Sequence, residues 1–279
     1  MRVRLPAVAG LFYAANAAAL ERDVTRCLGG PPEPAPALGA IVPHAGYVYS
    51  GPVAGAVYRR LAIPKTVVIL CPNHTGRGAA LALDPSDSWR IPGGDVPVDR
   101  PLAWRLQERL PELSVDAEAH RREHSLEVQL PFLRQLRPSV AIVPICIGAP
   151  DLELCRALGE AIAAVREEEA DEPPLLLASS DMNHYEPRAI GRGKDDRALA
   201  RVEALDAEGL FATVHAESIS MCGYLPATAL LFAARAAGAG KAFVVARRDS
   251  GDETGDATSV VGYAGVIVGE KDAPSGSVS

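Results

Sequence analysis

The chain has 279 residues, 28 of them basic and 35 acidic, a formal net charge of −7, 48% hydrophobic residues and only 5% aromatics. That apolar content on that length builds a core without disulfide staples and excludes wholesale disorder. The acidic balance excludes a nucleic-acid groove as the main function, and the scarcity of aromatics excludes an extended base-stacking platform.

At the start of the chain, Arg2 and Arg4, an apolar stretch over 7–13 and Ala15-Asn16-Ala17 imitate a signal peptide. Pro6 and the shortness of the run argue against it. Strand-length apolar runs follow at 38–42, 66–71, 140–147, 175–178, 242–246 and 259–268. They are rich in Val and Ile without strict alternation, which predicts strands buried on both faces. Helix-length segments lie at 51–61, 100–110, 126–136, 152–166, 198–211 and 226–237, with Pro131 kinking or splitting the third. This alternation predicts an α/β fold, a three-layer sandwich around a central mixed, mostly parallel sheet. Pro/Gly-rich 29–36 and acidic 167–174 read as loops, so one domain is expected over 1–270, with a disordered tail at 271–279. No run reaches the ~18 apolar residues of a membrane span, so no membrane association is expected. Five cysteines, odd in number and without a CxxC pair, read as reduced thiols of a cytoplasmic protein.

Three of the six histidines share one sequence context. The run at 38–42 ends in Pro43-His44-Ala45-Gly46, that at 66–71 in Pro72-Asn73-His74, and that at 175–178 in Ser179-Ser180-Asp181-Met182-Asn183-His184. A single histidine after a strand is usually a solvated loop residue, but three at equivalent positions point to one shared site. The carboxyl edge of an open α/β sheet is where ligands bind, and neutral imidazole is a common metal ligand. Cys222 precedes a predicted helix with Pro226 in its first turn, where the helix dipole favours a thiolate. A thiolate with two imidazoles suits zinc, iron or copper; a small buried cysteine is the competing reading. His124 and Glu127, three apart at a helix start, share a face, and Glu127 there is stabilised by free amides with or without catalysis. Cys27, Cys71, Cys146 and Cys155 read as core, and His120 and His215 as surface residues without a role.

Taken in order, Ala9-Gly10-Leu11-Phe12-Tyr13, Pro43-His44-Ala45-Gly46-Tyr47 with Tyr49 and Gly51, Pro72-Asn73-His74, Glu123-His124-Ser125-Leu126-Glu127, Ser179-Ser180-Asp181 with His184, and Cys222-Gly223 resemble the Memo family, called AmmeMemoRadiSam system protein B in prokaryotes. The resemblance runs from about residue 4 to 268 and places 7–13 in the mature fold. It implies a fold similar to the LigB-like class III extradiol dioxygenases, nonhaem iron enzymes whose ligands are two histidines and a carboxylate. The Memo pattern has two histidines and a cysteine, matched here by His44, His74 and Cys222, with His124, Asp181 and His184 lining the cavity as acid/base or supporting groups. The exchange of carboxylate for a softer, oxidisable thiolate counts against ring cleavage and toward copper, zinc or iron. The resemblance also implies a modification pathway with radical SAM and AMMECR-type partners, acting on a small molecule or peptide. Three functions follow as expectations: an iron- or copper-dependent redox enzyme, a zinc-type hydrolase with His184 or Glu127 as base, and a non-catalytic metal- or peptide-binding module.

Overall fold

The computed structural model describes residues 2–270, and the tail expected at 271–279 lies outside them. In chain order the first elements are β1 (Val3–Arg4), α1 (Ala17–Leu28), β2 (Gly39–Val42), α2 (Tyr47–Tyr58), β3 (Thr66–Pro72), β4 (Leu81–Leu83), β5 (Ser88–Ile91), β6 (Gly94–Pro97), α3 (Arg100–Arg109) and β7 (Ser114–Val115). A 3-10 turn (Glu127–Gln129) then leads into α4 (Leu130–Leu136), β8 (Ala141–Ile147), α5 (Leu152–Glu168), β9 (Leu175–Ser179) and β10 (His184–Glu186). The chain continues through α6 (Arg188–Glu203), α7 (Ala207–Ala216), α8 (Tyr224–Ala236), β11 (Ala242–Asp249), α9 (Gly251–Thr254) and β12 (Val260–Val268).

Four parallel strands in the order β2-β9-β3-β8 form the centre of the main sheet. Antiparallel β12 and then β11 extend it beyond β2, antiparallel β4 and then β7 extend it beyond β8, and short β10 pairs with the start of β12. The sheet is mixed, and only its centre is wholly parallel. Side chains alternate between two cores: Val68 and Leu70 of β3 join α3, α5, α6, α7 and α8 on one face, while Val67, Ile69 and Cys71 join α1, α2 and α4 on the other. A strand covered on both sides needs apolar residues at every position, which is why these runs do not alternate. A small sheet of β1, β5 and β6 stands apart. Among the described residues no helix is long and apolar enough to cross a membrane.

Two glycines let α2 lie against α1. A Cβ on Gly55 would fall 1.9 Å from the Cys27 carbonyl oxygen, and one on Gly51 would fall 2.5 Å from the Cys27 Sγ. Helix propensity alone would make Gly55→Ala stabilising by about 1 kcal/mol. The backbone contact reverses that sign, and a loss of about 1–3 kcal/mol is expected by thermal or denaturant unfolding.

Some expectations need correction. The helix expected over 198–211 is two helices, because Asp206 caps α7 through the Gly209 N–H at 2.8 Å, next to Leu205 at φ 53. The helix expected over 51–61 starts earlier, at Tyr47, and the one expected from 226 starts at Tyr224, so Pro226 is not its first residue. Pro131 does divide its segment, standing in the first turn of α4 directly after the 3-10 turn. His120 is fully buried, its Nε2 donating to the Ala82 carbonyl at 3.0 Å and its ring edge-on to Trp89. Its polar sequence neighbours Arg121 and Arg122 stay exposed while the turn aims His120 inward, a reversal that composition does not reveal.

Candidate metal centre

The connections β2→β3 and β8→β9 run through α2 and α5, which cover opposite faces of the sheet. Crossovers that leave on opposite faces open a crevice at the carboxyl ends of the strands between them. His44 lies just past β2, Asp181 just past β9 and His74 just past β3, so these three stand at the ends of three adjacent parallel strands, and His184 opens β10 five residues beyond β9. Cys222 reaches the same edge because Gly223 lies against the end of β9. A Cβ on Gly223 would fall 2.2 Å from the Ser179 carbonyl oxygen, so no other residue permits that approach.

The ligand atoms of His44, His74 and Cys222 lie within 4.8 Å of one another. The His44 Nε2 is 3.2 Å from the Cys222 Sγ, and its Nδ1 is 2.9 Å from the Ser179 hydroxyl. The His74 Nδ1 donates to Glu123 Oε1 at 2.9 Å, which leaves Nε2 as its free nitrogen. A ligating imidazole usually has its second nitrogen engaged in this way, by a carboxylate, carbonyl or hydroxyl. Two imidazole lone pairs and one sulfur converging from rigid strand and helix ends fit a transition-metal ion.

Glu123 is fully buried and already saturated. Besides the His74 ring it accepts from the His74 N–H at 2.7 Å and from the N–H and hydroxyl of Ser125 at 2.9 and 2.6 Å. Burial alone would raise its carboxyl, but the hydrogen bond and charge of His74, together with Ser125, outweigh that and hold it well below the usual range. Burial would lower His74, and the hydrogen bond and charge of Glu123 reverse the sign and raise it. Glu123 also stands with His74 and His124 in a second close group, and with four donors on it, three of them on Oε1, it acts here as the carboxylate that orients His74.

The other expected site residues fall around this centre. His124 stacks on His74 with ring centroids 4.6 Å apart, lies 5.5 Å from His44, and is walled on its outer side by Phe12 at 4.7 Å. The Asp181 Oδ1 accepts from the backbone N–H of His44 and Ala45 at 2.7 and 3.3 Å, while Oδ2 is 4.0 Å from the His44 Nε2. Burial pushes the Asp181 carboxyl up to about 6, against the lowering pull of those two N–H groups. His184 donates from Nδ1 to the Ser220 carbonyl at 2.9 Å, which leaves its Nε2 an acceptor. Burial lowers His44, His124 and His184 alike, and for His44 the neighbouring imidazoles add to the shift.

Two expectations about reactive groups fail. The Cys222 thiol is pushed well above its ordinary value by burial and by the charge of Asp181, so the helix terminus does not by itself make a thiolate. Glu127 is turned away from the centre. It accepts from the N–H groups of Ala7 and Val8 at 2.7 and 3.0 Å, from the Tyr13 hydroxyl at 2.7 Å and from the Arg4 guanidinium, so it has no free lone pair for a substrate. Its work is to clamp the 4–13 segment, which places Phe12 over His124. Glu123, Ser125 and Ser179 carry roles not assigned from sequence. The one available signal was Glu123 itself, a carboxylate beside a histidine in a polar turn.

These features define a three-layer α/β protein with a candidate metal centre of two imidazoles and a thiol at the carboxyl edge of its parallel strands. The comparisons with known proteins extend over nearly the whole chain. The chain belongs to the Memo-like family, whose family model, described as Memo-like protein, matches residues 4–267. A MEMO1 family protein of Methanopyrus kandleri strain AV19 is 41% identical over 278 residues, covering 95% of this chain and 98% of that protein. One of Aquifex aeolicus strain VF5 is 40% identical over 269 residues, covering 96% and 99%. A crystal structure of an uncharacterised protein from Escherichia coli K12 aligns over 73% of this chain and 87% of that one, with a TM-score of 0.49 and 18% identity.

Proposed function

We propose that the chain holds one redox metal ion, iron or copper, on His44, His74 and Cys222 and works as a nonhaem oxidoreductase of dioxygenase-like fold. The observation that carries this reading is the convergence of three ligand atoms within 4.8 Å, with the second nitrogen of each imidazole already engaged. A bound ion with open positions supplies the capacity to bind and activate oxygen or a substrate oxygen. The chain's own residues then orient and move protons. His184, with Nδ1 tied to Ser220, offers Nε2 as a proton acceptor, and His124 offers a second imidazole against His74. Asp181, its Oδ1 fixed by two backbone N–H groups, keeps Oδ2 toward the His44 ring. A reducing compartment such as the cytoplasm preserves the Cys222 thiol. Radical SAM and AMMECR-type pathway partners, and a small-molecule or peptide substrate, rest on the family resemblance alone.

Elemental analysis of anaerobically purified protein tests the reading. Near-stoichiometric iron or copper, lost in His44→Ala and Cys222→Ala, is the expected result. Folded wild-type protein that takes up neither metal on reconstitution would overturn it. A zinc hydrolase is the second reading, favoured by the acceptor nitrogen of His184, and it loses Glu127 as a base. Stoichiometric zinc with oxygen-independent turnover would select it.

A further inference from the structure

We propose that Ser179, clamped by Gln129, is the positioning residue of the centre: it locks His44 in the tautomer with its hydrogen on Nδ1 and so keeps Nε2 bare toward Cys222 and His74. Ser179 is the last residue of β9, pairs in register with Val42 of β2, and is fully buried. A serine hydroxyl has one hydrogen to give and two lone pairs to fill. The Ser125 carbonyl, 2.6 Å from Oγ, can only accept, so it takes the hydroxyl hydrogen. Both remaining neighbours of Oγ must therefore donate: Gln129 Nε2 at 2.9 Å and His44 Nδ1 at 2.9 Å.

The orientation of the Gln129 amide is forced in turn. Its Nε2 is 3.1 Å from the Pro43 carbonyl, and its Oε1 accepts from the Tyr58 hydroxyl at 2.8 Å. Turning the amide over would set its oxygen against the Pro43 carbonyl, two acceptors face to face in a buried place. The chain Tyr58–Gln129–Ser179–His44 thus has one consistent set of donors, and none of its first three members is more than 1% exposed. Water does not compete there, so the network specifies a single arrangement. A free neutral imidazole prefers its hydrogen on Nε2. The network imposes the opposite form, which is the one able to present Nε2 as a lone pair 3.2 Å from the Cys222 sulfur.

The tautomer assignment stands on hydrogen bonding alone, whereas its use for metal binding rests on the proposed function. Nitrogen-15 NMR of histidine-labelled, metal-free protein reads the first, with the His44 signals assigned by their loss in His44→Gln. The expected spectrum shows His44 protonated on Nδ1 and bare on Nε2. In Ser179→Ala the Nε2–H form should appear, and zinc affinity should fall about 10- to 100-fold, the usual effect of removing a group that orients a ligand. Ser179→Thr, which keeps the hydroxyl, should restore both. Where Ser179→Ala does not fold, Ser179→Cys, close in volume but with only a weakly accepting sulfur, should likewise let the Nε2–H form appear. A hydrogen on Nε2 of His44 in the wild-type protein, or an unchanged tautomer and zinc affinity in Ser179→Ala, overturns the proposal. A wild-type protein with the Nδ1–H form that binds no zinc, iron or copper instead overturns the metal reading and leaves the tautomer assignment in place.

Discussion

Cobalt(II) added to the metal-free protein is expected to give a thiolate-to-metal charge-transfer absorption that Cys222→Ser abolishes. His44→Ala and His74→Ala should each weaken binding by more than about 100-fold, because an ion held by three protein ligands loses one outright. Glu123→Gln should cost less, about 10- to 100-fold, since it loosens the aim of His74 while leaving its lone pair. That gradation separates ligands from the residue behind them, and an equal loss in all four variants would point to general unfolding. The pH dependence has a fixed sign. Burial and the nearby Asp181 charge hold the Cys222 thiol well above its ordinary value, so metal must displace a proton to bind sulfur. Apparent affinity should therefore rise with pH, by about tenfold per unit while one proton is released per ion. Isothermal titration in buffers of different ionisation enthalpy counts that proton, and a pH-independent affinity would exclude the thiolate as a ligand.

The main strands were legible because burial on both faces leaves a plain mark, an unbroken apolar run such as Thr66–Pro72. Short strands left none. β1, β4, β5, β6, β7 and β10 are two to four residues long, and partners far along the chain, as Val3 finds Ser88, decide their existence. The placement of His44, His74 and His184 after strands was readable, since it depends only on local order. What those strands do in space was not: β9 enters between β2 and β3, and only that order brings the histidines to one crevice. Glu123 and Glu127 show the limit most clearly. They stand four residues apart, Glu123 in irregular chain and Glu127 at the start of the 3-10 turn, and neither position names its partner. Glu123 meets the ring of His74, 49 residues away, while Glu127 meets Ala7, Val8 and Tyr13, 114 to 120 residues away. Tertiary contact, not local sequence, assigns the work of each carboxylate. Cys222 is similar, because sequence locates it before a helix and only packing reveals that its sulfur lies beside His44 and the Asp181 backbone.

The Glu127 clamp is where a single substitution should cost the most stability. Arg4 and Glu127 form an ion pair with side chains 5% and 0% exposed, and Arg4 also donates to the carbonyls of His120 and Glu123. Glu127→Ala would leave the guanidinium buried without its counter-charge and strip the Ala7 and Val8 N–H groups and the Tyr13 hydroxyl of their acceptor. A loss of about 3–5 kcal/mol is expected from denaturant unfolding, and Arg4→Met should cost a comparable amount by stranding the carboxylate. Buried ion pairs replaced on both sides by apolar groups are often neutral, so the double variant Arg4→Met/Glu127→Leu should be more stable than either single one. Its recovery should stay incomplete, because the two backbone N–H groups and the Tyr13 hydroxyl still lack a partner. The same clamp holds Phe12 against His124, so its loss should reach the centre as well. Limited proteolysis should cut within residues 5–16 in Glu127→Ala well before the wild-type chain is cut. If that segment stays protected while global stability falls, the clamp serves the core rather than the wall of the metal centre.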